Sequence, residues 1–361
     1  MTGLFAERLF RIAFVLAGCY NLAFGLWAAI WPHAFFELFS IPPPRYPGIW
    51  ACLGMVVGVY GLLYWHAAWK LDTAWPIIAV GLVGKVLGPI GMVVSFGDDW
   101  PRRLGMICVY NDLIWWLPFG LFLARGTWLG KRLMVLAPWL CAITHALAFI
   151  ALPMLLRQGM LSEPGAAARG AYIAENSIAW TFGWSAWMLA AMTLVGFYAW
   201  WGSLLVDQPF QPDDGNMHDA RRQAGKPDLR STVAIAAVII TAIGLVFDFS
   251  GEGLSILLLV ERASTFTENP AAFVSAERSF TLLSAGAANG LYTLGGVLLT
   301  LATPDLPGSI RAAMWATWIA GIAMTIAGIL NHVVGMVAST IALFPLLIAW
   351  TVWMATRWRG R

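Results

Sequence analysis

A succession of apolar runs, each about as long as a membrane-spanning helix, constrains this sequence more than any other feature. A helix needs about 20 apolar residues to cross roughly 30 Å of hydrocarbon. The runs that meet this length lie at 9–31, 50–69, 75–96, 104–124, 133–155, 177–201, 232–258, 280–302, 312–331 and 337–356. The sequence therefore predicts a chain that crosses a membrane about ten times.

The last two runs belong to one nearly uninterrupted apolar stretch, 312–355. At about 1.5 Å per residue, a single helix of this length would extend more than about 60 Å, twice the bilayer. A hairpin with its turn near residues 331–336 is the simplest interpretation. A long bent helix or a re-entrant segment is the alternative, and it would reduce the number of spans to nine.

The composition identifies lipid as the main solvent. The chain of 361 residues is 60% hydrophobic and 11% charged, whereas a soluble domain has about 25% charged residues. Its 21 tryptophans suit membrane interfaces, and its 36 glycines suit close helix packing. The predicted fold class is an all-α polytopic transmembrane bundle. A net charge of +3, scattered along the chain, gives no indication of nucleic acid binding.

Basic residues in the loops predict the topology. They lie at the start of the first run (Arg8, Arg11), between the fourth and fifth (Arg125, Lys131, Arg132), between the sixth and seventh (Arg221, Arg222, Lys226, Arg230) and at the C-terminus (Arg357, Arg359, Arg361). Ten spans put all four groups on one side, which the positive-inside rule makes the cytoplasm. Nine spans would leave the C-terminal arginines outside, so the ten-span topology, with both termini cytoplasmic, is the more consistent.

The loops also suggest two modules. The polar stretch 207–230 indicates a cytoplasmic loop, 202–231, rather than a domain. A boundary at Gly126–Gly130 would separate a four-helix module, 1–126, from a six-helix module, 127–361. The two modules show no internal repeat, which argues against an inverted-repeat transporter.

Lys85 is the sharpest candidate functional residue, because it lies about 15 Å from either end of its apolar run. A lysine at the bilayer midplane costs on the order of 3 kcal/mol unless it finds a partner. Pro89 cannot donate to the carbonyl of Lys85, so that carbonyl is free beside the ammonium. Asp112, in the next run, comes out at a similar depth. We expect Lys85 and Asp112 to meet, as a structural ion pair or as a proton- or ligand-binding site, with Asn111 beside them.

The C-terminal module contains a second set of polar residues. Asp248 and Glu252 are one helical turn apart and face the same side. His145, Asn289 and His332 fall at comparable depths in or beside other runs. These residues serve either as interhelical hydrogen-bonding groups or as the lining of one ligand pocket.

Neither a metal nor a cofactor can be assigned from the sequence. The HExxH, HxxxH and paired-histidine spacings are absent, as are the phosphate-binding glycine loops. The four cysteines lie in different apolar runs and match small buried hydrophobic residues. The glycine pairs Gly54/Gly58, Gly84/Gly88 and Gly286/Gly290 predict close helix–helix packing. The proline-rich loop 31–50 predicts a short interfacial helix followed by an extended segment.

The stretch 20–122 resembles small four-span bacterial membrane proteins of the DoxX-like kind. The resemblance rests on CYNLAFGLWAAIWP, PPPRYPGIW, GMVVGVYG, VGLVGKVLGPIG and NDLIWWLPF, and it covers less than a third of the chain. The segments ENSIAWTFGWSAWML and AANGLYTLGGVLLT are similar to multi-span bacterial membrane proteins of unassigned function. The resemblance implies a location in the bacterial inner membrane and supplies no catalytic motif.

Three classes of function agree with these observations. The first is a protein that binds or transports a small or lipidic ligand through its intramembrane polar residues. The second is an intramembrane enzyme acting on a lipid or isoprenoid, with Asp248, Glu252 and His332 as acid–base candidates. The third is a structural subunit that docks on a membrane-protein partner or on a second copy of itself. The sequence does not decide between enzyme and non-enzyme, and it leaves the ligand unidentified.

Overall fold

The computed structural model describes residues 3–95, 101–163, 165–206, 229–304 and 306–357. These residues form helices and contain no strand. Ten helices within them are long and apolar enough to cross a membrane: α1 (Leu4–Ile30), α2 (Pro47–Trp69), α3 (Trp75–Ser95), α4 (Arg102–Ala124), α5 (Trp128–Gly159), α6 (Ser177–Val206), α7 (Leu229–Ser264), α8 (Pro270–Ala302), α9 (Gly308–Leu330) and α10 (Val333–Arg357). The all-α fold class with ten spans is confirmed.

The turn between α9 and α10 decides against nine spans. Asn331 ends α9 in the left-handed conformation, with φ of 56°. The amide of Asn331 donates to the carbonyl of Gly328 at 3.2 Å, and the amide of His332 donates to the carbonyl of Ala327 at 2.8 Å. Such a left-handed residue with back-bonded amides is a common helix ending, and asparagine adopts it more easily than most residues. The long apolar stretch is therefore a hairpin.

Several helices begin earlier than their apolar runs predict. The clearest case is α8, which starts at Pro270 rather than near residue 280. Asn269 precedes it, and its side chain accepts a hydrogen bond from the amide of Ala272 at 3.0 Å. An asparagine cap followed by proline at the first helical position is a strong start signal. Hydropathy alone misses it because the first turns are not apolar.

The chain divides into two compact units, Met1–Lys131 and Arg132–Arg361. The predicted boundary lies a few residues earlier, at 126/127. Most of the predicted cytoplasmic loop 202–231 lies outside the described residues, because 207–228 are not among them. The same holds for the terminal residues 358–361, which include Arg359 and Arg361.

Glycines bring α1 and α2 into backbone contact in the first unit. A Cβ added to Gly25 would lie 2.6 Å from the Cα of Gly58 and from the carbonyl oxygen of Gly54. The predicted packing role of Gly54 and Gly58 is confirmed. It is wrong for Gly84, which has no neighbouring atom within 4 Å of such a Cβ.

Aromatic rings fill the core of the first unit. Phe14 of α1 packs edge-on against Phe119 and Phe122 of α4, and Tyr64 of α2 packs against Phe119. At one end of the unit, the guanidinium of Arg11 donates to the carbonyls of Ala68 and Trp69 at 2.6 and 2.8 Å. Cations suit helix C-termini, where the last carbonyls lack amide partners.

Between α1 and α2 lies a short helix, Ala34–Leu38, and residues 41–45 that follow it are not helical. The predicted order of a short helix and then a non-helical segment in this loop is confirmed.

In the second unit, α6 is the most deeply buried of the membrane-spanning helices. Its Phe197 and Trp201 pack against Trp350 of α10, and its Trp187 packs against Phe344. A further helix, Ala166–Glu175, was not predicted. It is attached to α8 by Arg169, whose guanidinium donates two hydrogen bonds of 2.7 Å to the carboxylate of Glu277.

Four spans contain a wide π-helical turn, at Val109–Leu113, Leu152–Leu156, Leu254–Leu259 and Leu282–Ala288. Such turns are rare and often accompany functional sites. The first contains Asp112, and the fourth contains Ser284, which contacts Asp248. These turns decide which side chains and carbonyls point into the helix interfaces.

Candidate ligand-binding sites within the helices

Lys85 of α3 is buried, with 5% of its surface exposed. Its ammonium donates to the main-chain carbonyl of Asn111, in the π-helical turn of α4. The ammonium also lies 5.9 Å from the ring centroid of Trp115, within cation–π range. Two groups on α4 therefore stabilise this intramembrane charge.

Pro89 leaves the carbonyl of Lys85 without an amide donor in its own helix, as the sequence predicts. In the structure the indole nitrogen of Trp116 donates to this carbonyl at 3.0 Å. The third and fourth spans are thus joined in both directions at this level. The side chain of Lys85 bonds to α4, and a side chain of α4 bonds to the backbone of Lys85.

Asp112 is also buried, with 3% of its surface exposed. Its Oδ1 accepts a hydrogen bond of 2.7 Å from the side-chain amide of Asn111. Its Oδ2 lies against Gly88, where an added Cβ would approach to 2.8 Å. The glycine therefore provides the space that the carboxylate occupies.

Lys85 and Asp112 meet through Asn111 rather than through a direct ion pair of 4.0 Å or less. Both residues are described, and no Lys85–Asp112 contact of 4.0 Å or less joins them. In the π-helical turn at Val109–Leu113, the carbonyl of Asn111 accepts from the ammonium of Lys85. The side-chain amide of Asn111 donates to one carboxylate oxygen of Asp112. The two charged side chains lie at the contact between α3 and α4, as predicted. Asn111 is the residue that bonds to both of them.

A small cavity of about 90 Å³ lies in the second unit, and Asp248 lines it. The carboxylate accepts hydrogen bonds from the hydroxyls of Ser284 at 2.7 Å and Tyr292 at 3.1 Å. Two of the predicted site residues, His145 and Asn289, line the same cavity. The structure therefore brings three of the predicted residues, from α5, α7 and α8, around one space.

The remaining polar groups of this cavity are held in place by the backbone. The side-chain amide of Asn289 donates to the carbonyl of Gly321 at 2.7 Å and to the hydroxyl of Thr325 at 2.9 Å. The Nδ1 of His145 lies 2.7 Å from the carbonyl of Cys141. A carbonyl only accepts, so Nδ1 carries the hydrogen, and Nε2 is the ring nitrogen left for another partner.

A larger cavity, of about 420 Å³, adjoins the small one. Its walls are mostly apolar and include Phe149, Trp180, Trp184 and Phe280. The residues that line both cavities are Trp187, Ser284, Ala285, Met324 and Thr340. An aromatic chamber therefore adjoins a smaller one that contains a few polar side chains within one unit.

The far end of the larger cavity meets a polar pocket. Arg157 and Pro153 line both, and Gln158 and Glu163 complete the polar pocket. The guanidinium of Arg157 lies 3.6 Å from the carboxylate of Glu163, and 72% of its side chain is exposed.

Glu252 lines neither cavity. It is fully buried, and neither of its carboxylate oxygens has a hydrogen-bond partner in the part of the chain that the structure describes. One turn further, the hydroxyl of Ser255 is buried and equally unpartnered. An isolated buried carboxylate is costly, and it marks this face of α7 as unusual.

His332 does not belong to this site, so the predicted grouping with Asp248, Glu252 and Asn289 is wrong. His332 is an exposed residue of the turn before α10, and its Nδ1 accepts a hydrogen bond of 3.0 Å from the amide of Gly335. It caps the helix. The left-handed Asn331 ends α9 too early for His332 to extend into the membrane span.

Sequence reasoning missed the residues that complete the cavities. Ser284 carries no charge, and a serine in an apolar run gives no signal until Asp248 is placed beside it. Trp180, Trp184 and Trp187 follow each other at helical spacing, which also describes an ordinary packing face. Arg169 and Glu277 lie far apart in sequence and form a buried bidentate pair.

With ten apolar spans and buried polar groups held between them, the chain is a multi-pass α-helical membrane protein. No protein-family model, no curated protein and no solved structure matches it. Among the described residues no group of three or more histidine, cysteine, aspartate or glutamate side chains could hold a metal ion.

Proposed function

We propose that this membrane protein binds or transports a lipidic ligand through the cavities of its second unit. The observation that carries the proposal is the junction of a large aromatic cavity with a small one lined by Asp248, Tyr292 and Asn289. Ligand sites are mostly apolar, with a few polar groups that fix orientation. The apolar body of a ligand suits the larger cavity, and its small polar group suits the smaller one.

The hydrogen bonds around Asp248 indicate the polar group of the ligand. Ser284 and Tyr292 donate to its carboxylate, and the side-chain amide of Asn289 donates to two groups of α9. The chamber therefore presents acceptor oxygens and the free Nε2 of His145. A hydroxyl or an amine on the ligand complements these acceptors.

Two further observations favour a lipidic ligand over a water-soluble one. The large cavity is walled by tryptophan and phenylalanine rings, whose burial of apolar surface is favourable by about 25 cal/mol per Å². Part of its wall is Val337 and Ile341 of α10, and both side chains are also exposed on the surface of a membrane span. An apolar ligand could therefore enter from the bilayer.

We also propose that the protein lies in a bacterial inner membrane with both termini in the cytoplasm. The support is the distribution of basic residues under the positive-inside rule, together with the resemblance of residues 20–122 to DoxX-like proteins. Cysteine labelling from each side should place a residue of the 207–230 loop and one of the C-terminal tail together in the cytoplasm. Labelling of the tail from the periplasm would overturn this topology.

Photolabelling tests the ligand proposal. The protein is reconstituted in nanodiscs with a long-chain alcohol that carries a diazirine, and the labelled peptides are mapped by mass spectrometry. We expect labels on cavity residues such as Trp184 and Phe280. Val337→Trp, which places a large ring in the cavity wall, should reduce these labels several-fold.

Val334→Trp is the matched control, because Val334 is an exposed residue of the same helix that lines neither cavity. It should leave the cavity labels unchanged. Equal labelling in both variants and the wild type, or labels confined to the outer surface of the spans, would overturn the proposal. Flux of the same alcohol in proteoliposomes then distinguishes transport from binding alone.

The enzyme alternative is weakened by the position of His332, one of its three acid–base candidates, outside the cavities. Asp248 and His145 remain as groups that a substrate in the small cavity would contact. Chemical conversion of the bound alcohol, detected in the photolabelling sample before irradiation, would favour an enzyme. The structural-subunit alternative predicts a stable membrane-protein partner and no cavity labelling.

A further inference from the structure

The buried carboxylates of α7 differ from every other acidic group that we have described. Asp248 and Glu252 lie one turn apart on the same face, with 7% and 0% of their surfaces exposed. Asp248 accepts two hydroxyl hydrogen bonds, whereas no described group bonds to Glu252. Both lie well inside a span of 36 residues, away from its ends.

Among the described residues, no cation bonds to either carboxylate or lines the small cavity beside Asp248. The other titratable side chains that line the small cavity with Asp248 are Tyr198 of α6, Tyr292 of α8 and His145 of α5, and Tyr292 bonds to Asp248. The residues that α9 and α10 contribute to that cavity, among them Thr317, Met324, Thr340 and Phe344, do not titrate. In the described residues, the buried Arg169 is already satisfied by Glu277.

Two ionised carboxylates one turn apart repel each other, and each loses its hydration on burial. Without a cation, the arrangement is favourable only if at least one carboxyl carries a proton. The unpartnered oxygens of Glu252 make it the better proton carrier, because Asp248 keeps hydroxyl donors that suit a carboxylate. We infer that Asp248 and Glu252 form an intramembrane proton-binding site, with the proton held on Glu252.

This site adjoins the ligand cavity through Asp248, which lines it, while Glu252 lies outside its lining. A change in the charge of Glu252 therefore alters the field at Asp248, which a ligand in the small cavity would contact. Protonation of Glu252 and ligand binding at Asp248 are therefore thermodynamically linked. The proton-binding site stands on its own geometry and does not require that the cavity hold a lipid.

Infrared spectroscopy of the purified full-length protein tests the proposal, because a protonated carboxyl absorbs apart from an ionised carboxylate. At neutral pH the wild type should show a protonated carboxyl band that persists in D₂O with an isotope shift. Glu252→Gln should remove the equivalent of one carboxyl group from that band. Glu163→Gln is the control, because Glu163 pairs with the exposed Arg157 rather than lying unpartnered inside a span, and it should leave the band unchanged.

Carbodiimide labelling gives a second measurement on the wild type, which does not depend on whether a variant folds. The reagent attacks protonated carboxyl groups in apolar surroundings, so peptide mapping should find Glu252 modified several-fold more than Glu277. Absence of the protonated band in the wild type, or a band unchanged by Glu252→Gln, would overturn the proposal. Loss of the band on adding Na⁺ at constant pH would also overturn it, in favour of a metal cation.

Discussion

The two units of this membrane protein treat buried charge in different ways. In the first, the ammonium of Lys85 and the carboxylate of Asp112 are both bonded to Asn111, and a tryptophan ring faces the ammonium. In the second, no described cation bonds to Asp248 or Glu252, and Glu252 has no hydrogen-bond partner among the described residues. The first arrangement balances its charges within the protein, and the second leaves a charge to be balanced by something else.

The second unit also shows that this difference is local. Arg169 and Glu277 are as buried as the α7 carboxylates, and they form a bidentate pair. The fold can therefore pair charges where it needs stability. Of the two unbalanced carboxylates, Asp248 lines the small cavity, where a ligand could supply the missing charge, and Glu252 is available to hold a proton.

The largest expected change in stability comes from breaking the buried pair of Arg169 and Glu277. Glu277→Gln leaves the guanidinium of Arg169 without its carboxylate, which should lower the free energy of unfolding by about 3 kcal/mol or more. Denaturant titration in detergent measures it. Glu163→Gln, in the exposed pair with Arg157, is the control and should cost less than about 1 kcal/mol. Equal costs would remove the distinction between paired and exposed charges.

A somewhat smaller effect is expected for the first unit. Lys85→Met leaves the carbonyl of Asn111 and the nearby carboxylate of Asp112 without the ammonium, and should cost about 2 kcal/mol. Adding Asp112→Asn should recover part of this loss, which gives a coupling free energy of about 1 kcal/mol in a double-mutant cycle. Additive effects would show that the two charges do not interact, and the comparison between the units would fail.

Unlike the two changes above, a substitution of Asp248 should not destabilise the protein. Asp248→Asn removes a buried charge that has no cation, and the amide oxygen still accepts from Ser284 or Tyr292. We expect the free energy of unfolding to stay within about 1 kcal/mol of the wild type or to rise. Labelling of the cavity by the diazirine alcohol should fall several-fold. A loss of stability as large as that of Lys85→Met would instead indicate a cationic partner.

The smallest effect concerns His332. His332→Ala removes the side-chain cap of α10 and should cost about 0.5–1 kcal/mol, without changing the cavity labels. His33→Ala is the matched control, because His33 also precedes a helix and makes no side-chain cap hydrogen bond. A change in cavity labelling by His332→Ala would return this residue to the candidate site.

Part of the candidate site followed from sequence. Charged residues in apolar runs are few, so Lys85, Asp112, Asp248 and Glu252 stand out without any knowledge of packing. Their partners did not follow, because Ser284 is unremarkable in sequence and the π-helical turns leave no hydropathy signal. For the same reason the sequence did not reveal that the ammonium of Lys85 bonds to the carbonyl of Asn111, in a π-helical turn of α4.

The ten spans and the hairpin at Asn331 were determined by the sequence itself. Burial in hydrocarbon requires about 20 apolar residues per crossing, a condition that each run meets locally. Tertiary structure alone decided which polar groups meet. Helix rotation and the π-helical turns bring Asp248 to Ser284 and Tyr292, and they leave Glu252 without a partner. The physical reason is the distance over which each effect acts. Hydropathy is a property of each residue and its neighbours in sequence. A hydrogen bond between helices is lost when a helix rotates enough to move its donor about 1 Å farther from the acceptor.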